Sequence, residues 1–322
     1  MTACATLVLS NHRPETVRPA KALMACHDAV ILEESPEPHF EAMLSERLAI
    51  DAYLENLDLE YPEFSRRMCE TLRELHGAGK RLYQVEPFLE KLIQIHEFFA
   101  DGGRPANLKR GTDLHEVYTA EREATGALIR FYEVSVRGTF EETVRVVKQF
   151  ARVDAQRFAV RDRMRADAIV AVLRGEKRCY IEAGQIHYPL WQDLKQKLPA
   201  GYPLKVKFLM ADAVRDMGYR SHLYGPGDVL TLFYRFHPHR TSRREDLFAG
   251  RALIYNKLIA KEEIVGNSES YPHTRNELEV IATVRHLSLA DCRHLYPVIR
   301  RASTKTAQDM VQHYLNFKEG AG

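Results

Sequence analysis

The stretch "ATLVLSNHRPETVRPAKALMACHDAVILEE", residues 5–34, decides the fold class. Its apolar run at 5–9 reads as a buried strand. His12 and Pro14 follow, and a proline near a helix start has its fixed φ and missing N–H where neither is costly. Val17, Ala20 and Met24 then fall on one stripe of a helix over about 15–26. "DAVILEE" (28–34) is a second apolar run, closed by Glu33 and Glu34. Strand, helix and strand in about thirty residues form a βαβ unit, so the two strands are expected to be parallel.

The pattern continues along the chain. Helices over 38–56 and 63–76 lead to a strand in "KRLYQVEP" (80–87), closed by Glu86 and Pro87. "RCYIEAG" (178–184) is a strand that ends in Gly184. His187 comes next, and Pro189 opens a helix over 189–197. "LKVKFLMAD" (204–212) is the last strand, with Asp212 at its end. "LSNHRPETVRPAKAL" (9–23) and "AGQIHYPLWQDLKQKL" (183–198) share a strand end, His-x-Pro and a helix. Thr139 with Glu142 forms a capping box inside a mostly helical stretch. The expected architecture is α/β, a mostly parallel central sheet flanked by helices. Its parts are 1–87 and 159–215 as the two halves of the core, 88–158 as a helical insertion capping it, and 216–322 as a helix-rich extension.

Composition narrows the partners. The 322 residues carry 46 Lys+Arg against 44 Asp+Glu, a formal net charge of +2. No global field draws in nucleic acid or an anionic membrane. No apolar run approaches the ~20 residues needed to span a bilayer. "MTACATLVLSNHRPE" has no basic region followed by a long apolar segment, so no signal peptide is expected. The five cysteines are odd in number, scattered, and without metal-ligand spacing. They are expected to be reduced, in a cytoplasmic protein. Nucleic acid and membrane are therefore not expected as partners.

In an open parallel sheet the strand carboxyl ends share one edge, and ligands bind there. His12, Glu33, Glu34, Glu86, His187 and Asp212 each follow or close a strand. Arg161 joins them by arithmetic. Its helix, ending near Gly175, covers about 20 Å at ~1.5 Å per residue. Strand 178–184 runs back about 20 Å at ~3.3 Å per residue. With Met164, Ala168 and Ile169 as the apolar stripe, Arg161 faces the sheet and needs a carboxylate or a bound anion. Each residue also has a plainer role, as cap, turn acid or structural ion pair. Their convergence on one edge is what favours a site. The basic loop with His237, His239, Arg240, Arg243 and Arg244 reads as solvated.

"AGQIH" (183–187) resembles the Gly-x-x-His motif of the TraB/PrgY/GumN–Tiki proteins, relatives of the erythromycin esterases and the haem-binding ChaN proteins. "RDRMRADAIVAVLRGEKRCYIEAGQIH" (161–187) resembles that family's central block, and "NHRPETVRPAKALMACHDAVILEES" (11–35) its N-terminal block. The first motif departs from the family pattern, with Leu9 where the glycine would stand. The resemblance implies an α/β core, an inserted helical region, and a cleft lined by His, Glu and Arg. Its members include metal-dependent peptidases, esterases and ligand binders.

Two kinds of chemistry follow. His12, Glu33 and His187 would hold a divalent metal, with Glu86 or Glu34 as base on a bound water. Mixed imidazole and carboxylate donors suit zinc, manganese or cobalt. Without metal, His187 would be the general base and Arg161 would steady an oxyanion. The leading expectation is therefore a metal-dependent hydrolase of peptide or ester bonds. A non-catalytic binder of haem or a small peptide is the alternative, with Tyr188 beside His187 as the haem ligand. No Gly-x-Ser-x-Gly elbow supports a serine hydrolase.

Overall fold

A computed structural model describes residues 3–55, 57, 59–220, 223–242, 244–264 and 270–320. In chain order the elements are β1 (Cys4–Ser10), α1 (Val17–Ala25), β2 (Ala29–Leu32), α2 (Phe40–Leu44), α3 (Ile50–Leu54), α4 (Pro62–Gly77), β3 (Arg81–Gln84), α5 (Pro87–Ala100), α6 (Asp113–Arg137) and α7 (Phe140–Leu173). Then come β4 (Arg178–Gly184), α8 (Leu190–Lys197), β5 (Leu204–Phe208), α9 (Ala211–Asp216), α10 (Pro226–Phe236), α11 (Glu245–Leu258), α12 (Pro272–Arg285), α13 (Leu289–Ile299) and α14 (Thr304–Gly320). The chain forms two compact units. The first comprises Met1–Thr119, Phe158–His222 and Glu262–Tyr271, the second Ala120–Arg157, Leu223–Lys261 and Pro272–Gly322.

The first unit is the α/β fold. Its five strands are all parallel, in the order β3-β2-β4-β1-β5. β1 and β2 are parallel as the βαβ pattern requires, but β4 is inserted between them. The β1-to-β2 crossover therefore travels one way across the sheet, and the β4-to-β5 crossover travels the other. Right-handed crossovers put α1 and α8 on opposite faces. The packing agrees. Leu190 and Leu194 of α8 join Ala166, Ile169 and Leu173 of α7 over Leu7, Leu9, Ile31, Ile181 and Ala183, whereas α1 packs with α4. With both faces covered, Leu7, Val8 and Leu9 of the central β1 are all buried, as a continuous apolar run predicts.

The register fixes the edge that matters. Ser10 of β1 sits opposite Gly184 of β4, so the carboxyl ends of the two central strands lie side by side.

Several boundaries differ from expectation. The helix expected over 38–56 is two short ones, α2 and α3. Glu46, with φ +60, turns the chain left-handed just past α2. β5 stops at Phe208, so Asp212 lies in α9, where it pairs with Arg215 at the surface. Asp212 does not close a strand. Within 88–158, α5 and the start of α6 belong to the first unit, and 120–157 to the second. The extension 216–322 is divided as well. Most of it builds the second unit's own core, where Phe140, Val144 and Val147 of α7 meet Leu253, Val284, Cys292, Leu295 and Val311. A Cβ on Gly250 of α11 would meet Leu289, Phe140 and Cys292 at 3.2–3.3 Å, so glycine permits this close helix approach. His237, His239, Arg240 and Arg244 are exposed, as expected of a solvated loop, and Arg243 lies outside the described residues. No described helix is long and apolar enough to cross a membrane.

Candidate functional site

Five residues read from the sequence meet at the carboxyl edge of the sheet. Glu33, the first residue after β2, is the hub. Its Oε1 lies 2.9 Å from His187 Nε2 and 3.1 Å from Arg161 Nη2. Its Oε2 accepts the Gly184 N–H at 2.5 Å and lies 3.9 Å from Arg165 Nη1. The other His187 nitrogen, Nδ1, bonds Asp162 Oδ1 at 2.5 Å. The ring also meets Phe158 edge-on, 5.1 Å between centroids.

This arrangement sets the charges. Burial opposes a charge on His187, but the Glu33 and Asp162 carboxylates more than offset it and raise its pKa to about 9. Burial also opposes ionised Glu33, yet the charges of His187, Arg165 and Arg161 hold it well below the usual carboxylate range. A pKa raised to about 9 favours, near neutral pH, an imidazolium between two carboxylates, the form in which both ring N–H groups donate.

Two arginines stand against two acids. Arg161 Nε lies 3.1 Å from Glu86 Oε2, and Arg165 Nε lies 3.7 Å from the same oxygen. Arg165 is fully buried, and it donates to Val85 O at 2.9 Å and to Glu182 O at 2.6 Å, so it ties β4 to the end of β3. Arg161 keeps 18% of its side chain exposed. It faces the sheet as predicted, and Glu33 and Glu86 are permanent partners, so it is not a free donor. Glu86 is fully buried and serves as countercharge beneath the arginines.

His12 approaches the cluster from β1. Its backbone is left-handed, φ +49. Its Nε2 lies 3.7 Å from Glu182 Oε1 and makes no hydrogen bond among the described residues. Its ring packs 5.5 Å from that of Phe64. Glu182 Oε2 accepts the Glu33 N–H at 3.3 Å. Gly184 is the corner where the two histidines meet: a Cβ there would lie 3.7 Å from His12 Cε1, 3.7 Å from His187 Cδ2 and 3.6 Å from Glu33 Oε2.

Three predicted residues stand apart from this corner. Glu34 accepts a bond from Gln84 at 3.0 Å, and burial pushes its pKa up to about 7. Asp212 is on the surface. Tyr188 stacks against Trp191 and Phe208 in the apolar layer.

Asp162, Arg165 and Glu182 belong to the cluster without being among the residues expected from the sequence. The first two were legible: stepping back from Ile169 by threes and fours gives Ala166, Arg165 and Asp162, all with zero exposure. The stripe expected through Ala168 is rotated from this one. Glu182 carried a weaker signal, a single acid inside an apolar strand.

A divalent ion does not fit this donor set. Both nitrogens of His187 face carboxylates, and Glu33 already accepts from Gly184 and His187 beside two guanidiniums. A cation drawn to Glu33 would meet the Arg161 and Arg165 guanidiniums. Among the described residues no group of three or more His, Cys, Asp or Glu is placed to hold a metal.

Comparisons with known proteins add breadth without a role. No family model matches the chain, and no solved structure matches it. An uncharacterised protein of Archaeoglobus fulgidus is similar, at 26% identity over 291 residues. The match covers 90% of this chain and 97% of that protein, so it takes in most of both units.

Proposed function

We propose that the first unit is a hydrolase of ester or peptide bonds, akin to the TraB/PrgY/GumN–Tiki proteins, working by acid–base chemistry rather than through a metal. The observation that carries this reading is the Gly184 corner, where an imidazole with an unbonded nitrogen and a buried, proton-loaded His187–Glu33 pair lie within contact of the same point. A base and an acid side by side are what hydrolysis requires. His12 Nε2 takes a proton from the water that attacks the carbonyl carbon. The outer edge of Arg161 faces the developing oxyanion. As the intermediate collapses, the proton carried by His187 reaches the leaving oxygen or nitrogen by way of Glu33, which takes it from Nε2 as it gives it up and so ends as the carboxylate it began as, while Asp162 holds the ring in place.

The ligand proposed is a small ester or a short peptide; the partial exposure of His12 and Arg161, at 27% and 18% of their side chains, supports a small one. The setting proposed is cytoplasmic, supported by five unpaired cysteines. The test is hydrolysis of a panel of 4-nitrophenyl esters and dipeptides by the full chain and by His187→Gln. Turnover lost in a folded variant supports the proposal. No turnover by the native chain on any of the panel, or turnover indifferent to His187, would overturn it.

A further inference from the structure

The second unit has a cavity of its own, about 450 Å³, within the size range of small-molecule sites. Phe131, Tyr132 and Val136 of α6 form one wall, and Leu253 of α11 and Ile259 just past it form another. Tyr296 donates to Ser135 O at 3.3 Å across the floor. The charged lining has one sign. Lys257, Lys261, Arg300 and Arg301 line the cavity, and none of the described lining residues is acidic. Arg300 is tethered, its Nη1 donating to Gly138 O at 2.9 Å. Among the described residues Lys257, Lys261 and Arg301 have no carboxylate at ion-pair distance.

Helix dipoles account for part of this. Lys257 is in the last turn of α11, and Arg300 caps α13, where cations are favoured. That preference does not explain four cations around one cavity, whose mutual repulsion an anion would relieve. Nor does it explain the apolar strip beside them. Ile129, Tyr132 and Val136 lie on one face of α6 and are 53%, 59% and 56% exposed. Two of the three also line the cavity. A strip of exposed apolar side chains running into a cationic pocket matches a molecule with an apolar tail and an anionic head.

We propose that the second unit binds a free amphipathic anion, an alkyl or acyl chain bearing a carboxylate or phosphate. Its head lies among Lys257, Lys261 and Arg301, and its tail lies on Tyr132, Val136 and Ile129. This site is separate in residues and in chemistry from the hydrolytic corner.

The test is calorimetric titration of the full chain with laurate, dodecyl phosphate and dodecyltrimethylammonium. The proposal expects one laurate per chain and roughly tenfold or weaker binding of the cationic amphiphile. The double variant Lys257→Glu with Arg301→Glu, both sites outside the core, should lose about tenfold or more in laurate affinity and gain for the cation. A Val136→Glu variant should also lose laurate binding, which checks the tail independently should the double variant fail to fold. Equal affinity for the anionic and cationic amphiphiles, or laurate binding unchanged in the variants, would overturn the proposal. So would sedimentation with phosphatidylglycerol vesicles in a protein that does not bind monomeric laurate, which would assign the cations to a membrane surface instead.

Discussion

Asp162 Oδ1 lies 2.5 Å from Nδ1 of His187, on the side of the ring opposite Glu33. The imidazole is therefore fixed at both nitrogens, by carboxylates from α7 and from the end of β2. One acid orients the ring and the other shares its proton.

This sandwich makes stability depend on alkali. The folded pKa of His187, about 9, exceeds its ordinary value of 6.5. The folded state thus binds the proton more tightly than the unfolded chain. The stabilisation is fully present below about pH 6.5 and is lost as pH rises through about 9. Urea unfolding at a series of pH values should show this decline, and His187→Gln should flatten it. A native chain whose stability is level or rises between pH 6.5 and 9, with no such change in the variant, would show that His187 is not charged in the fold.

The two arginines should differ in kind. Arg165 has no exposure, and its loss strips Glu86 of a countercharge and two backbone carbonyls of their donors. Arg165→Met should cost about 3–5 kcal/mol. Arg161 reaches solvent, and Arg165 still faces both acids when it is removed. Arg161→Ala should cost about 1–3 kcal/mol and remove most of the turnover. Denaturant titration ranks them, and the reverse order would reassign the structural role to Arg161.

His12 allows a cleaner separation of structure from chemistry. A non-glycine residue in the left-handed region carries about 1–2 kcal/mol of strain, and φ at His12 is +49. His12→Gly relieves the strain and removes the ring, whereas His12→Ala removes the ring alone. The glycine variant should be the more stable of the two, by about 1 kcal/mol, and both should lose turnover alike. Equal stabilities would mean that the turn carries no strain, and retained turnover would remove His12 as the base.

The sheet was legible because its strands are short apolar runs closed by Gly, Pro or acids, and that same punctuation placed His12, Glu33, Glu86 and His187 at one edge. Strand order was not legible. Nothing local says that β4, almost 150 residues after β2, slots between β2 and β1 (the arrangement that brings Glu33 to His187). Asp212 failed because β5 is an edge strand that ends early, at Phe208. The division into units was hidden because the chain passes between them inside α6 and α7, where helical periodicity continues without a break. At Gly184 φ is −61 and an added Cβ would have ordinary contacts of 3.6–3.7 Å, so neither backbone nor packing requires a glycine there.

In the mechanism proposed, one proton held by the His187–Glu33 pair is delivered to the leaving group. The pH dependence of kcat for a hydrolysed ester tests it most directly, compared between the native chain and Asp162→Asn. A coupled pair that must be protonated gives a rate that falls as pH rises through about 9. Removing the Asp162 charge removes one cause of the raised pKa, so the descending limb should move to lower pH in the variant. A rate that keeps rising through pH 9, or a limb that stays in place in Asp162→Asn, would contradict the account.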